Sequence, residues 1–281
     1  VDLETKKFSS AEELEDFMDK YEGGYAIGYS SVRLAGADMS EQVATKSISP
    51  GDYSETNVQV EGIDEADIIK TDGKYIYTLS GKTLYIVEAY PAEEAEIISE
   101  IEFENTPLNI FVKEDRLVVF GKVDNLDFFE DKEINIRERV MFFNIYDISD
   151  RKDPREDEEI IFEGRYSDAR MKGDVIYLVT LSGMDTNHPG PIVYRDDVIE
   201  PVPIGKIHYF PVPYSRPEFA NIHAVNMDDG KSETISLVVE SNTDLYMSEE
   251  NIYLTYTESV DEWEIQQEIV MEKMMPDRKS V

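Results

Sequence analysis

The spacing of apolar positions changes character three times along this chain. Between Phe8 and Tyr21 the residues Leu14, Phe17, Met18 and Tyr21 fall at helical spacing on one face. Ser10 and Glu13 form a capping-box pattern ahead of them, and Gly23-Gly24 ends the predicted helix. From Ser30 to Thr56 apolar anchors thin out, and Ser49-Pro50-Gly51-Asp52 marks a loose linker. From Val58 to Thr257 the period drops to two, in short apolar runs bounded by turn residues, which predicts strands. Helical spacing returns between Glu258 and Met275, where Trp263, Gln267, Val270 and Met274 line up beside Ile265 and Ile269 until Pro276 stops the helix.

Within the strand region one phrase recurs, a turn of Gly, Asp, Asn or Lys leading into a brief apolar strand with Tyr or Val. It reads Asp72-Gly73-Lys74-Tyr75-Ile76-Tyr77, then Glu114-Asp115-Arg116-Leu117-Val118-Val119. It returns as Lys172-Gly173-Asp174-Val175-Ile176-Tyr177 and as Glu249-Glu250-Asn251-Ile252-Tyr253-Leu254. Recurrence of one supersecondary unit is the signature of a repeat architecture. The first interval, Gly73 to Asp115, is 115 − 73 = 42 residues, the length of a propeller blade of about 40–45 residues. The expected fold is therefore all-β, a β-propeller of about three and a half four-stranded blades, with a short helix at each end. Three and a half blades cannot close a ring, so the chain is expected to be the front portion of a longer protein.

The expected organisation is a helical segment (1–29), an acidic and polar linker (30–56), the blades (57–257) and a helical tail or insertion (258–281). In the first unit Tyr75–Leu79 pairs with Thr83–Val87 across Ser80-Gly81-Lys82, and Ile97–Phe103 adds a strand. The third unit opens at Ala169–Met171 and Val175–Thr180, is interrupted, and resumes at Ile222–Asn226 and Thr234–Val239. The interruption, 182–217, holds seven of the twelve prolines. Pro201-Val202-Pro203 and Pro211-Val212-Pro213 favour rigid, extended backbone outside a ladder.

Composition narrows the function classes. Apolar residues at 41% and aromatic residues at 11% suffice for a core. The 61 acidic and 27 basic residues leave 61 − 27 = 34 net negative charges, which repel phosphate backbones and anionic lipid, so nucleic acid is not an expected partner. There is no cysteine, hence no disulfide and no thiolate metal site. No apolar run reaches the roughly 18 residues that span a bilayer.

Residues 56–73, from Thr56-Asn57-Val58-Gln59-Val60-Glu61-Gly62-Ile63 through Asp64-Glu65-Ala66-Asp67-Ile68-Ile69 to Lys70-Thr71-Asp72-Gly73, lead straight into the first repeat. This block resembles a prokaryotic, largely archaeal family of secreted proteins with a β-propeller domain distantly related to WD-type repeats. The helix Phe8–Tyr21, the acidic linker and the stretch from Ile207-His208-Tyr209-Phe210 to Asn226 are similar to its pattern too. The resemblance implies a propeller outside the cytoplasmic membrane and brings no catalytic residues. The family continues well beyond Val281.

Candidate chemistry is sparse. Asp64-Glu65-Ala66-Asp67 spells a helicase tetrapeptide, but no phosphate loop accompanies it. Its carboxylates could gather around a hard cation such as calcium. The competing and preferred reading is that Asp64, Glu65 and Asp67 orient the opening turn of the first blade while Ile63, Ile68 and Ile69 pack inside. His188, His208 and His223 are isolated and are expected in loops or on strand edges. No Gly-x-Ser-x-Gly elbow is present. Met271, Met274 and Met275 read as a packing face, and Tyr75, Tyr77, Tyr85, Tyr177 and Tyr253 as inter-blade packing. No catalytic, cofactor-binding or metal-ligating residue is assigned, and no cofactor is expected.

The expected function is non-enzymatic binding by an extracellular or cell-surface scaffold that recognises a protein or a surface polymer. One alternative is an enzyme, a hydrolase or lyase whose site is completed downstream. Another is a cation-dependent structural component of the envelope. Within the insertion, Tyr194, Tyr209, Phe210 and Tyr214 with Arg195, Lys206 and Arg216 make a candidate recognition surface. A rigid cover over one blade is the equal alternative.

Overall fold

A computed structural model describes residues 4–21, 62–126, 139–184, 190–212, 214, 216–240, 243–248 and 250–256. The chain opens with β1 (Lys6–Lys7) and α1 (Ala11–Asp19). Ser10 caps this helix, its Oγ accepting the Glu13 N–H at 3.1 Å. The Glu13 carboxylate turns back by one residue more than a capping box requires, taking the Ser9 N–H at 2.8 Å and the Ser9 hydroxyl at 2.6 Å. Gly23-Gly24, the linker and the predicted C-terminal helix with Met271, Met274 and Met275 lie outside the described residues.

After β2 (Ile63–Glu65), a first antiparallel blade comprises β3 (Ile69–Thr71), β4 (Tyr75–Ser80), β5 (Thr83–Glu88) and β6 (Glu96–Glu102). The second comprises β7 (Thr106–Lys113), β8 (Arg116–Lys122), β9 (Val140–Asp147) and β10 (Arg155–Glu163). The third begins with β11 (Arg165–Lys172) and β12 (Val175–Ser182). Then β13 (Ile192–Arg195), β14 (Val198–Pro201) and β15 (Ile207–Tyr209) intervene before β16 (Pro217–Asn226) and β17 (Ser232–Glu240) complete it. A last hairpin, β18 (Thr243–Met247) and β19 (Ile252–Tyr256), stands where a fourth blade would start. Among the described residues the sheets do not close into a ring.

Strand alternation explains how the blades stack. Tyr77, Leu84 and Ile86 of the first blade meet Ile110, Leu117, Val119 and Phe142 of the second in one buried core. The intervening side chains of the second blade, among them Phe111, Val118, Phe120 and Phe143, pack on Ala169, Ile176 and Leu178 of the third. The second sheet is thus buried on both faces by its neighbours, as in a stacked repeat. Two short turns carry the geometry. Gly81 adopts φ 62 between Ser80 and Thr83, giving the tight hairpin its left-handed residue. Gly164, at φ 110, is the single residue between β10 and β11, and it swings the chain from the last strand of one blade to the first of the next.

The proline-rich stretch differs from its expectation. Rather than staying outside the ladders, β13 and β14 form a hairpin that extends the second blade beyond β10. β15 runs parallel to β17 on the outer edge of the third blade, and β1 pairs with β15 in turn. The prolines permit this because Pro201 and Pro217 sit at strand ends, where a missing N–H disturbs no central ladder. β16 likewise begins at Pro217, five residues (222 − 217) ahead of the expected Ile222.

Candidate functional site

One short segment visits the leading strand of each of the first three blades. β2 pairs antiparallel with β11 of the third blade, matching Asp64 to Met171 and Glu65 to Arg170. Asp67 then bridges Ile110 of β7, donating its N–H at 3.4 Å and accepting the Ile110 N–H at 2.8 Å. Two residues later the same segment becomes β3 itself. Three leading strands joined by nine residues (63–71) must converge, and this segment runs along their free edges.

The acidic block belongs to this junction. Asp64 Oδ1 accepts from Lys70 Nζ at 2.7 Å and from the Glu65 N–H at 2.9 Å. Lys70 Nζ also donates to the Glu65 carbonyl at 2.5 Å and sits 5.8 Å from the Phe111 ring centre. The Lys70 side chain is only 6% exposed, so its charge relies on these oxygens and on the aromatic face. The Glu65 carboxylate stands 3.6 Å from Arg170, whose guanidinium also pairs with Asp168 and donates to the Ala169 carbonyl at 2.9 Å. Asp67 Oδ1 accepts the Ile68 N–H at 2.7 Å. The acids therefore orient the junction, as the preferred reading held, but the apolar part of that reading needs correction. Ile63 is buried, whereas Ile68 and Ile69 are 54% and 49% exposed. β3 is the leading strand of the first blade, and Ile69 points away from the second blade rather than into the core. Among the described residues no three Asp, Glu or His side chains are gathered for a metal ion.

Lys70 and Arg170, the partners of the acids, carry no motif, and only the fold brings Arg170 to Glu65. A second missed feature is a buried polar network between the second and third blades. His223 is fully buried on a central strand, not in a loop or at an edge, and its ring stacks on Phe162 at 4.1 Å. The Thr180 hydroxyl donates to the Glu163 carbonyl at 2.6 Å. Its one proton being used there, Thr180 Oγ1 accepts from His223 Nε2 at 3.1 Å and from Asn221 Nδ2 at 3.3 Å. His223 thus carries its proton on Nε2, and Nδ1 accepts from Thr234 Oγ1 at 2.9 Å. Asn221 also donates to Ser182 Oγ at 3.0 Å and accepts from Ser236 Oγ at 2.7 Å. Burial pushes the imidazole down to about 3, so it is neutral. The only signal in the sequence is an inverted alternation: in β17 the polar Thr234 and Ser236 point inward, while Ile235 is 44% exposed.

His208 lies on β15 opposite Lys7, with its pKa lowered first by burial and then by that lysine. His188 lies outside the described residues. Of the tyrosines, Tyr77 is fully buried between the first two blades, where its hydroxyl donates to Asp72 at 2.9 Å and accepts from Arg151 at 3.3 Å. Burial raises its pKa well above the ordinary phenol value. Tyr85 and Tyr253 do not pack between described blades, because each points to an outer face of the stack.

The insertion's aromatic residues are largely consumed by packing. Tyr209 stacks on Phe8 at 4.5 Å, and Tyr214 meets Phe17 and Tyr21 edge-on. Ile207, Val202 and Tyr214 join Leu14 and Met18 of α1 in one buried cluster over Phe219 and Val238. Arg195 donates to the Gly230 carbonyl at 2.6 Å and to Ser232 Oγ at 3.1 Å. The Arg216 N–H reaches Glu240 at 2.6 Å, and Lys206 stands 3.8 Å from Glu233. These contacts are those of a clasp between the N-terminal helix and the outer edges of two blades.

Twisted antiparallel four-stranded sheets, stacked face to face with converging leading strands, define a blade-built all-β protein. The chain belongs to the beta propeller domain family, whose pattern matches residues 53–277. It is similar to an uncharacterized protein of Methanocaldococcus jannaschii, at 27% identity over 90% of this chain and 38% of that relative. It is similar as well to an uncharacterized protein of Archaeoglobus fulgidus, at 26% identity over 97% of this chain and 45% of that relative. The chain spans less than half the length of these curated relatives. No helix among the described residues is long and apolar enough to cross a membrane.

Proposed function

We propose that this chain forms part of a non-enzymatic binding scaffold at the cell exterior, and that the scaffold recognises a protein or a surface polymer. One observation carries the reading. The ionisable groups that the fold brings to the junction of leading strands and into the seam are engaged in specific contacts: Asp64 with Lys70, Glu65 and Asp168 with Arg170, and His223 with two threonines. A site built this way contributes rigidity and shape, which a recognition surface needs, because fixed surfaces lose less entropy on binding. The exterior location rests on the resemblance of residues 56–73 to secreted proteins, and a net charge of −34 suits an exposed, self-repelling surface.

The test combines binding with turnover. Purified protein would be titrated against washed archaeal envelope and, separately, against a panel of glycoside, ester and polyuronate substrates. Saturable envelope binding that persists at physiological salt, with no turnover, is the expected result. Turnover that disappears on Glu65→Gln or Asp168→Asn in a normally folded protein would replace the scaffold reading with the enzymatic one.

A further inference from the structure

The outer part of the seam between the first two blades holds a buried oxygen that nothing among the described residues satisfies. Asn144 of β9 is only 6% exposed, and its Oδ1 has no hydrogen-bond partner there. Its Nδ2 is fixed. It donates to Glu156 Oε2 at 2.8 Å and lies 3.4 Å from the Tyr146 hydroxyl, which itself donates to the same carboxylate oxygen at 2.8 Å. Turning the amide over would aim Oδ1 at that carboxylate, so its orientation is set by charge. A bulge then adds a second acid. β10 carries an extra residue between Glu156 and Glu158, so that Glu156 pairs with Tyr146 and Glu159 with Asn144. Asn144 and Tyr146 are alternate residues of β9 and share a face, the one that packs on the first blade. The two glutamates therefore flank the Asn144 amide, and both are exposed. From the first blade, Phe103 stacks on Phe142 and meets Tyr146 edge-on, and Glu104 follows it. Partial burial, and after it the charges of Glu156 and Glu104, hold the Glu159 carboxyl above the ordinary carboxylate value. Among the described residues no lysine or arginine pairs with these three carboxylates, since Arg116 and Arg155 pair with Asp157 and Asp153 instead.

We propose that Asn144 Oδ1 and the carboxylates of Glu156 and Glu159 form a cation site at this rim, and that its ligand is a hard divalent ion, calcium. The acids alone would not make a site. The orphaned amide oxygen held between them does, because a buried acceptor without a donor is costly and a metal ion satisfies it together with the carboxylates. Every donor is oxygen, with no imidazole or thiolate, which suits calcium, magnesium or manganese rather than zinc or copper. Donors drawn from two strands across a bulge are irregularly placed. Calcium accepts such sets, whereas magnesium demands a near-ideal octahedron. Glu104 is not gathered with the pair, so water completes the shell. Three protein groups make a weak site, with a Kd of about 10⁻⁴–10⁻³ M. Bound calcium ties β9 to β10 at the bulge and cancels the repulsion between the two carboxylates. The site is separate from the block at Asp64–Asp67, where Asp64 and Glu65 already face Lys70 and Arg170.

The 281-residue protein, freed of metal with a chelator, is titrated with calcium chloride in about 0.15 M KCl, which screens diffuse attraction to its 34 net negative charges. The readouts are the Asn144 side-chain amide signals in NMR and the Tm. The amide signals should shift saturably with a Kd of about 1 mM or below, and Tm should rise in step. Glu156→Gln and Glu159→Gln each keep the shape of an exposed side chain and remove one charged ligand. Each should weaken the calcium response by about 10-fold or more. Asp64→Asn with Asp67→Asn should leave it unchanged, and magnesium should bind about 10-fold more weakly than calcium. No saturable shift up to about 10 mM calcium overturns the proposal. So does a response that survives both glutamine variants, or equal responses to calcium and magnesium, since either reports ions gathered loosely on an acidic surface. None of these readouts depends on envelope binding or turnover, so the function proposed above stands or falls separately.

Discussion

Lowering the pH should loosen the seam between the second and third blades, and the size of the effect follows from His223. The unfolded imidazole takes up its proton near pH 6.5, whereas the folded one resists protonation until about pH 3. Between those values the unfolded state binds one more proton, so stability falls as the pH is lowered, by about 1.4 kcal/mol per unit. From pH 7.5 to 5 the loss amounts to about 2 kcal/mol. His223→Gln keeps a polar side chain but cannot titrate, so this contribution vanishes in the variant. The variant starts less stable by about 2 kcal/mol, through the lost stacking on Phe162 and a disturbed network. Urea unfolding of both proteins at pH 7.5, 6 and 5 isolates the effect, because the 61 acidic residues are common to the two. The gap between wild type and variant should close by about 2 kcal/mol toward pH 5. A gap that stays constant would refute the argument, as would an NMR titration placing His223 near 6. The same NMR experiment should find the ring proton on Nε2.

Four further outcomes test the remaining contacts. Lys70→Met removes the cation that Asp64 and the Glu65 carbonyl share, and should destabilise by about 2 kcal/mol in denaturant unfolding, a discounted cost because Asp64 is 25% exposed. Calcium at low millimolar concentration should give no saturable rise in Tm that Asp64→Asn with Asp67→Asn abolishes; such a rise would show that the block holds a cation. Gly164→Ala places a Cβ 2.8 Å from Thr180 Oγ1 at a φ of 110, so Tm should drop by about 3 °C for each of the 1–3 kcal/mol of strain. Replacing residues 182–217 with a short Gly-Ser turn should lower Tm strongly, since Ile207 and Tyr214 anchor α1; an unchanged melting transition would return the insertion to the role of a free recognition surface.

The strand-built body is legible in the residue order alone, because period-two alternation and the recurring turn phrase are local properties that each blade repeats. The tight turn at Gly81 and the capped helix from Ser10 were legible for the same reason: their hydrogen bonds run between near neighbours in the chain. The contacts between blades, by contrast, are set by packing across long stretches of chain. Glu65 meets Arg170 across more than a hundred residues, and no local pattern encodes that distance. The network of Thr180, Asn221, His223 and Ser236 was illegible for a sharper reason. Alternation tells which residues share a face but not which face is covered, and here the polar stripe is the covered one. The proline-rich stretch resisted reading similarly, since proline excludes central ladder positions but leaves strand ends and edges open. The outer edges of the second and third blades offered those positions, and only the packed structure shows that they were taken.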